Sequence, residues 1–198
     1  MKRISILLVA LLCSISFYGQ GWDNAKPDKR LTFGVRAGAN NSTLMINDDR
    51  YVGNSKWGLY GGVNVDYNIV KSFAVETGLF FSEKGCRFSY GDHDDLMLKI
   101  SFLQIPLFAL YRLPFSENLN LQVKAGGYAG IAVDKYKDKG NYNKEGFSRD
   151  VDAGTAFGVG LSYKKIYFGV QYELGLTILD FYMENINRNL TISVGYDF

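Results

Sequence analysis

The residues best equipped for chemistry in this chain lie in one short run, Gly91-Asp92-His93-Asp94-Asp95. Clustered carboxylates suit a hard divalent cation, so Asp92, His93, Asp94 and Asp95 are the candidate metal ligands. His93 is also the sole histidine of the chain. As a catalytic base it would need a nucleophile within reach and a third group to orient it. Ser89 and Ser101 are near in sequence, but no motif marks either. The plainer reading is a solvated acidic loop on the outer side of the protein, and that is the reading adopted. It implies no catalytic residue, no metal and no cofactor. Asp48-Asp49 and the stretch from Asp134 to Lys139 read in the same way, as hydrated loop charge. The glycines at 58, 61 and 62 and the pair Gly126-Gly127 lack the strand–turn–helix setting of a phosphate loop. They read as relief of crowding where a small sheet bends.

A second set of polar residues is scattered along the chain: Arg36, Asp66, Glu76, Gln104, Lys124 and Glu173. What unites them is the pattern around them. Leu31, Phe33, Val35, Ala37 and Ala39 alternate with Thr32, Gly34, Arg36, Gly38 and Asn40. The same period of two recurs in 56–69, 73–84, 118–133, 155–164, 166–177 and 188–198. A strand with one apolar and one polar face produces this period. The charged residues fall at mid-strand on the polar side, and the apolar side is almost free of charge. The stretch 96–112 is apolar on both faces and contains Pro106, which removes a ladder donor. It is expected to be a bulged strand, with Leu103, Ile105 and Leu107 facing out and Gln104 facing in. The total is about eight strands.

Both ends of the chain suit export to a membrane. Lys2 and Arg3 precede an apolar run from Ile4 to Ile15 and a more polar exit to Gln20, the pattern of a cleaved signal peptide. That run is too short to span a bilayer as a helix. Leu12 stands before Cys13 where a lipoprotein signal needs a small residue, so Cys13 reads as one more apolar residue. The expected organisation is a signal peptide over 1–20, a periplasmic lead over 21–30 and one barrel over 31–198. The mature chain keeps only Cys86, which excludes an intrachain disulfide. A net charge of +2 without a basic cluster argues against nucleic acid as a partner. At the far end, Leu190, Ile192, Val194, Tyr196 and Phe198 share one face, and nothing follows Phe198 to cover it. A ring in that position suits the aromatic girdle at a membrane interface.

Connection lengths choose the topology. Segments 45–55, 87–95, 134–152 and 178–187 read as long and polar, whereas 70–72, 113–117 and 164–165 are short. Long loops on one side and tight turns on the other belong to an up-and-down outer-membrane barrel. An open sheet edge is not viable in hydrocarbon, where each unpaired backbone group costs several kcal/mol. The fold class is therefore all-β: a closed antiparallel transmembrane barrel of about eight strands. A soluble barrel or sandwich would share the alternation, but mid-strand charges in a small filled barrel point inward, where they can pair. Arg36, Asp66, Glu76, Gln104, Lys124 and Glu173 are thus expected to form a polar network in the lumen.

Four motifs carry a resemblance. Phe33-Gly34-Val35-Arg36-Ala37-Gly38-Ala39-Asn40 resembles the opening strand of the PorT-like outer-membrane barrels of the Bacteroidota. Glu76 to Gly85 resembles their third strand. Phe102-Leu103-Gln104-Ile105-Pro106-Leu107 resembles a fourth, with Gln104 in place of the usual Glu. Asn187-Arg188 and Gly195-Tyr196-Asp197-Phe198 resemble the closing motif. The resemblance implies a monomeric barrel in the outer membrane of a Gram-negative bacterium, and no shared catalytic motif. One family member takes part in protein secretion. The function expected here is a structural or interaction role through the extracellular loops. Alternatives are a component of secretion or assembly, a small lipid-acting barrel enzyme, or a narrow channel. The expected partners are outer-membrane lipid and other envelope proteins.

Overall fold

The computed structural model describes residues 25–45, 52–90, 93–137, 150–176 and 186–198. The side chains of 44–45, 52–54, 87–90, 93–98, 135–137 and 186 lie outside that description, as does the expected signal peptide. Eight strands follow one another: β1 (Leu31–Met45), β2 (Val52–Asn68), β3 (Phe73–Tyr90), β4 (His93–Ser116), β5 (Leu119–Lys137), β6 (Val151–Tyr163), β7 (Ile166–Gly175) and β8 (Ile186–Asp197). Each pairs antiparallel with its neighbours, and β8 returns to β1 with Ala37 opposite Val194, so the sheet is closed. Closure removes the sheet edges that hydrocarbon would penalise.

The two faces part as the alternation requires. Val123 is 40 % exposed, Val170 39 % and Val194 54 %, whereas Arg36 is 5 % exposed and Glu173 2 %. The apolar side chains therefore form the outer surface, and the interior is polar. Among the described residues no helix is long and apolar enough to cross a membrane, so any crossing is made by strands. Tight turns gather at one end, which in outer-membrane barrels is the periplasmic one. At that end Lys164 and Lys165 lie over the rings of Tyr163 and Tyr196, at 5.7 and 5.5 Å from the centroids. Phe198 meets Tyr196 edge-on at 5.2 Å. Aromatic rings with lysines beside them suit the level of the lipid headgroups. In the two-residue turn between β6 and β7, Lys164 adopts a left-handed backbone with φ 54°, the sense of twist that such hairpins require.

Small residues let the barrel curl this tightly. A Cβ on Gly38 would lie 2.0 Å from the Ile192 carbonyl oxygen, and one on Gly126 would lie 2.0 Å from that of Leu107. Neither neighbour can yield, because both are backbone.

Two expectations need correction. Segment 87–95 is not a long loop: β3 and β4 run through most of it, with Tyr90 paired to His93. Likewise Asp152 and Asn187, read as loop, are buried within β6 and β8. In β6 the alternation of outward and buried residues already begins at Val151 and Asp152, so the strand starts before the apolar run that announces it. The stretch 96–112 is the bulged strand expected, though the bulge is not at Pro106 itself. Register is the same on either side of Pro106 (Thr77 opposite Leu107, Phe80 opposite Gln104), and the irregularity against β5 falls between Ser101 and Phe102. The Thr77 hydroxyl donates to the Pro106 carbonyl at 2.8 Å, a side-chain bond beside the position where the ladder lacks a donor.

Candidate lumen site and outer extension

The lumen is filled by a polar network in three tiers. At the periplasmic tier, Arg112 on β4 pairs with Asp66 on β2 and donates to Asn68 Oδ1 at 2.6 Å. Asn64 donates to Asp66 at 3.0 Å, and Asn68 donates to the Thr32 hydroxyl at 2.9 Å. In the middle tier Lys124 on β5 reaches Glu76 on β3 at 2.7 Å, and its ammonium lies 4.9 Å from the Phe108 ring centroid. Arg36 on β1 approaches Asp197 on β8 at 2.7 Å and stacks over Tyr167 at 4.1 Å. The Arg36 and Asp197 atoms are close as charges but not aligned as a hydrogen bond. Tyr60 and Phe80 stack at 5.1 Å beside them.

The outer tier carries the densest chemistry. Lys84 on β3 reaches Glu173 on β7 at 2.7 Å and Asp152 on β6 at 3.1 Å, spanning the barrel. Its ammonium sits 4.4 Å from the Tyr128 ring centroid, and the Tyr128 hydroxyl donates to Asp152 at 3.3 Å. Asn187 donates to Asp152, while Gln171 and Asn189 donate to Glu173. From there the chain of bonds passes through Thr191 and Asn40 to Ser82. Burial of ions in hydrocarbon surroundings costs several kcal/mol each unless they are paired and hydrogen-bonded. These partners supply both, and they fill the bore.

All six residues of the expected lumen set are buried inside the barrel. Five join ion pairs; Gln104 stands apart, its Oε1 without a hydrogen-bond partner among the described residues. Sequence reading missed Lys84, Asp152, Arg112, Asp197 and the asparagines of β8 as members. The signal was present: Lys84 shares the parity of Glu76, Arg112 that of Gln104, and Asp197 that of Thr191. Parity names the face but not the partner across the barrel.

The candidate metal and catalytic residues fare differently. Asp92 lies outside the described residues, and of His93, Asp94 and Asp95 only the backbone is described, as the start of β4 rather than a loop. Ser101 is buried eight positions along the same strand from His93, roughly 27 Å at the rise of an extended chain. That separation rules out a shared proton between the two. Among the described residues no three His, Cys, Asp or Glu side chains come together as a metal group.

The second feature is the uneven height of the wall. β3, β4 and β5 have 18, 24 and 19 residues, whereas β6, β7 and β8 have 13, 10 and 12. Crossing a bilayer takes about 9–11. Pairing of β5 with β6 stops at Ile131 opposite Val151, yet β4 and β5 stay paired out to Leu98 opposite Lys137. Pairing of β2 with β3 continues to Val52 opposite Ser89. Strands β2 to β5 thus rise above the rest as a sheet.

A family model for the outer membrane protein beta-barrel domain matches residues 18–180. The structure is similar to that of the outer membrane protein OprG from Pseudomonas aeruginosa, at 14 % identity over 88 % of this chain and 99 % of that one, with a TM-score of 0.54. It is also similar to Neisserial surface protein A (13 %, 84 % and 97 %, TM-score 0.48) and to Ail, the attachment invasion locus protein of Yersinia pestis (14 %, 86 % and 100 %, TM-score 0.46). At this identity the likeness to OprG extends to the fold alone. No curated protein matches the chain in sequence.

Proposed function

Because this chain belongs to the outer membrane protein β-barrel domain family and resides in the outer membrane, we propose that it is a non-catalytic docking protein whose working surface is the raised sheet of β2 to β5. The observation that carries the reading is the excess length of β3, β4 and β5 over what a bilayer needs. Strands beyond the membrane add nothing to insertion, and a sheet standing in water offers backbone and side chains to another protein. From Val133 outward, the described pairing of β5 is with β4 alone. Strand addition to such an edge is a common recognition mode. The filled lumen supports the same reading, since ion pairs that span the bore leave little room for a channel.

The chain acts as a monomer in the outer membrane of a Gram-negative bacterium, after export by a cleaved signal peptide; the residues at 1–20 support that route. A second reading is a part in protein secretion or assembly. It is favoured by the four motifs shared with PorT-like barrels, which also support an origin in the Bacteroidota.

Photo-crosslinking in intact cells tests the docking role. A crosslinker at Ser89 on β3 or at Leu98 on β4 is expected to capture another envelope protein, and one at Val170 to capture lipid only. Absence of protein adducts along the whole outer parts of β3 and β4 would refute the docking role.

A further inference from the structure

We propose that the periplasmic mouth of the lumen binds a small hydrophilic oxyanion, held by Arg112, Gln122 and Ser162 with Lys29 and Lys71 at the rim. A cavity of about 400 Å³ opens there, bounded by these residues and by the short turns. That volume falls within the range of small-molecule sites. The segment ahead of β1 closes one side of it. Asn68 donates from its backbone to the Arg30 carbonyl and from its side chain to the Lys29 carbonyl, both at 2.9 Å. Those bonds hold Lys29 beside the mouth, where its ammonium reaches the Phe198 carbonyl only at 3.5 Å.

Two independent observations point to a ligand. The first is a pair of buried polar side chains. Gln122 is 4 % exposed and Ser162 5 %, and both line the cavity. Neither side chain hydrogen-bonds to a described residue. Buried amides and hydroxyls are nearly always bonded, because an unsatisfied one loses its water for nothing. Register brings the two together with the cation: Gln122 lies opposite Arg112, and Ser162 opposite Asn120 on the strand that carries Gln122.

The second observation is the balance of donors. Lys29, Lys71, Arg112, Lys164 and Lys165 line the cavity against two carboxylates, Asp28 and Asp197. Asp197 already stands 2.7 Å from Arg36, and Asp28 lies 3.7 Å from Lys71 with its side chain 90 % exposed. Asp66 and Asn68 engage two of the five N–H donors of Arg112 and fix its guanidinium in place. Guanidinium, ammonium, amide and hydroxyl can all donate at once, and an oxyanion is a ligand that only accepts. A metal cation would be repelled by the same groups. A free carboxylate or phosphate and the phosphate of an inner-leaflet headgroup offer the same chemistry.

The test is titration calorimetry on the full barrel in phosphatidylcholine nanodiscs. Inorganic phosphate or citrate is the titrant, in chloride of equal ionic strength. Saturable binding of a single anion per barrel is expected. Gln122→Leu keeps every charge but removes the amide. It should weaken binding by about tenfold or more, as the loss of a hydrogen bond to a charged group does. Ser162→Ala should weaken it severalfold. Heat-modifiable gel mobility checks that each variant folds. Native mass spectrometry from discs that also contain phosphatidylglycerol separates the sources: a lipid retained by the parent and lost by Gln122→Leu assigns a headgroup. Absence of both a saturable anion and a retained lipid would overturn the proposal. Parent-like binding in Gln122→Leu and Ser162→Ala would reduce the signal to loose attraction by the rim lysines, and overturns it as well. Should Gln122→Leu fail to fold, Ser162→Ala decides alone.

Discussion

Replacing Lys84 with methionine would remove the charge that joins three strands across the bore. Methionine is close to lysine in length and fits the same track, so the volume change is small. What is lost is a cation at 2.7 Å from Glu173 and 3.1 Å from Asp152. Two losses compete for size. The stack on Tyr128, at 4.4 Å, is worth about 1–2 kcal/mol in a desolvated setting. Stranding buried carboxylates without their cation costs about 3–5 kcal/mol, so the ion pairs dominate. The folding equilibrium constant should fall by roughly a hundred- to a few-thousandfold. The assay is urea titration of barrels folded into lipid vesicles, read by Trp57 emission; Trp57 stands 60 % exposed on the lipid face. Adding Glu173→Gln to the variant removes one of the two stranded charges and should restore part of the loss, with a coupling of about 1–3 kcal/mol in the double-mutant cycle. A Lys84→Met barrel within about 1 kcal/mol of the parent, or one that Glu173→Gln does not rescue, would refute the account of how the lumen is held.

Further predictions follow from the two faces and the turns. Val170→Arg puts a charge on the lipid face and should cost about 2–4 kcal/mol near the bilayer midplane, measured by the same titration. Gly38→Ala forces a Cβ onto the Ile192 carbonyl and should cost about 1–3 kcal/mol. Gly61→Ala, whose nearest neighbour would be 3.5 Å away, should fold normally, with both variants compared by heat-modifiable gel mobility. Lys164→Gly relieves a left-handed lysine and should raise stability by up to about 1 kcal/mol. In planar bilayers the parent barrel should show no regular conductance steps. Removing the mid-lumen pair together, Lys124→Ala with Glu76→Ala, should create them.

Much of this architecture was legible from residue order. Alternation in β1, β6, β7 and β8 was clean because each of those strands barely exceeds the membrane, so nearly every residue has lipid on one side and the lumen on the other. Leu103, Ile105 and Leu107 could be told from Gln104 on the same ground, even in a strand apolar on both faces. β3 and β4 were read too short. Backbone pairing of β3 with β4 continues past Cys86 to Tyr90 opposite His93 without any sequence period to announce it.

Residue order by itself determined the number of strands, the face each side chain takes and the medium on either side, because a pleated strand between lipid and a polar bore admits one pattern. Only closure of the sheet decided the partners. Lys84 and Glu173 are far apart in the chain and meet because β3 and β7 face each other across a narrow cylinder. Parity can say that a carboxylate points inward; the width and stagger of the barrel choose which ammonium it finds there.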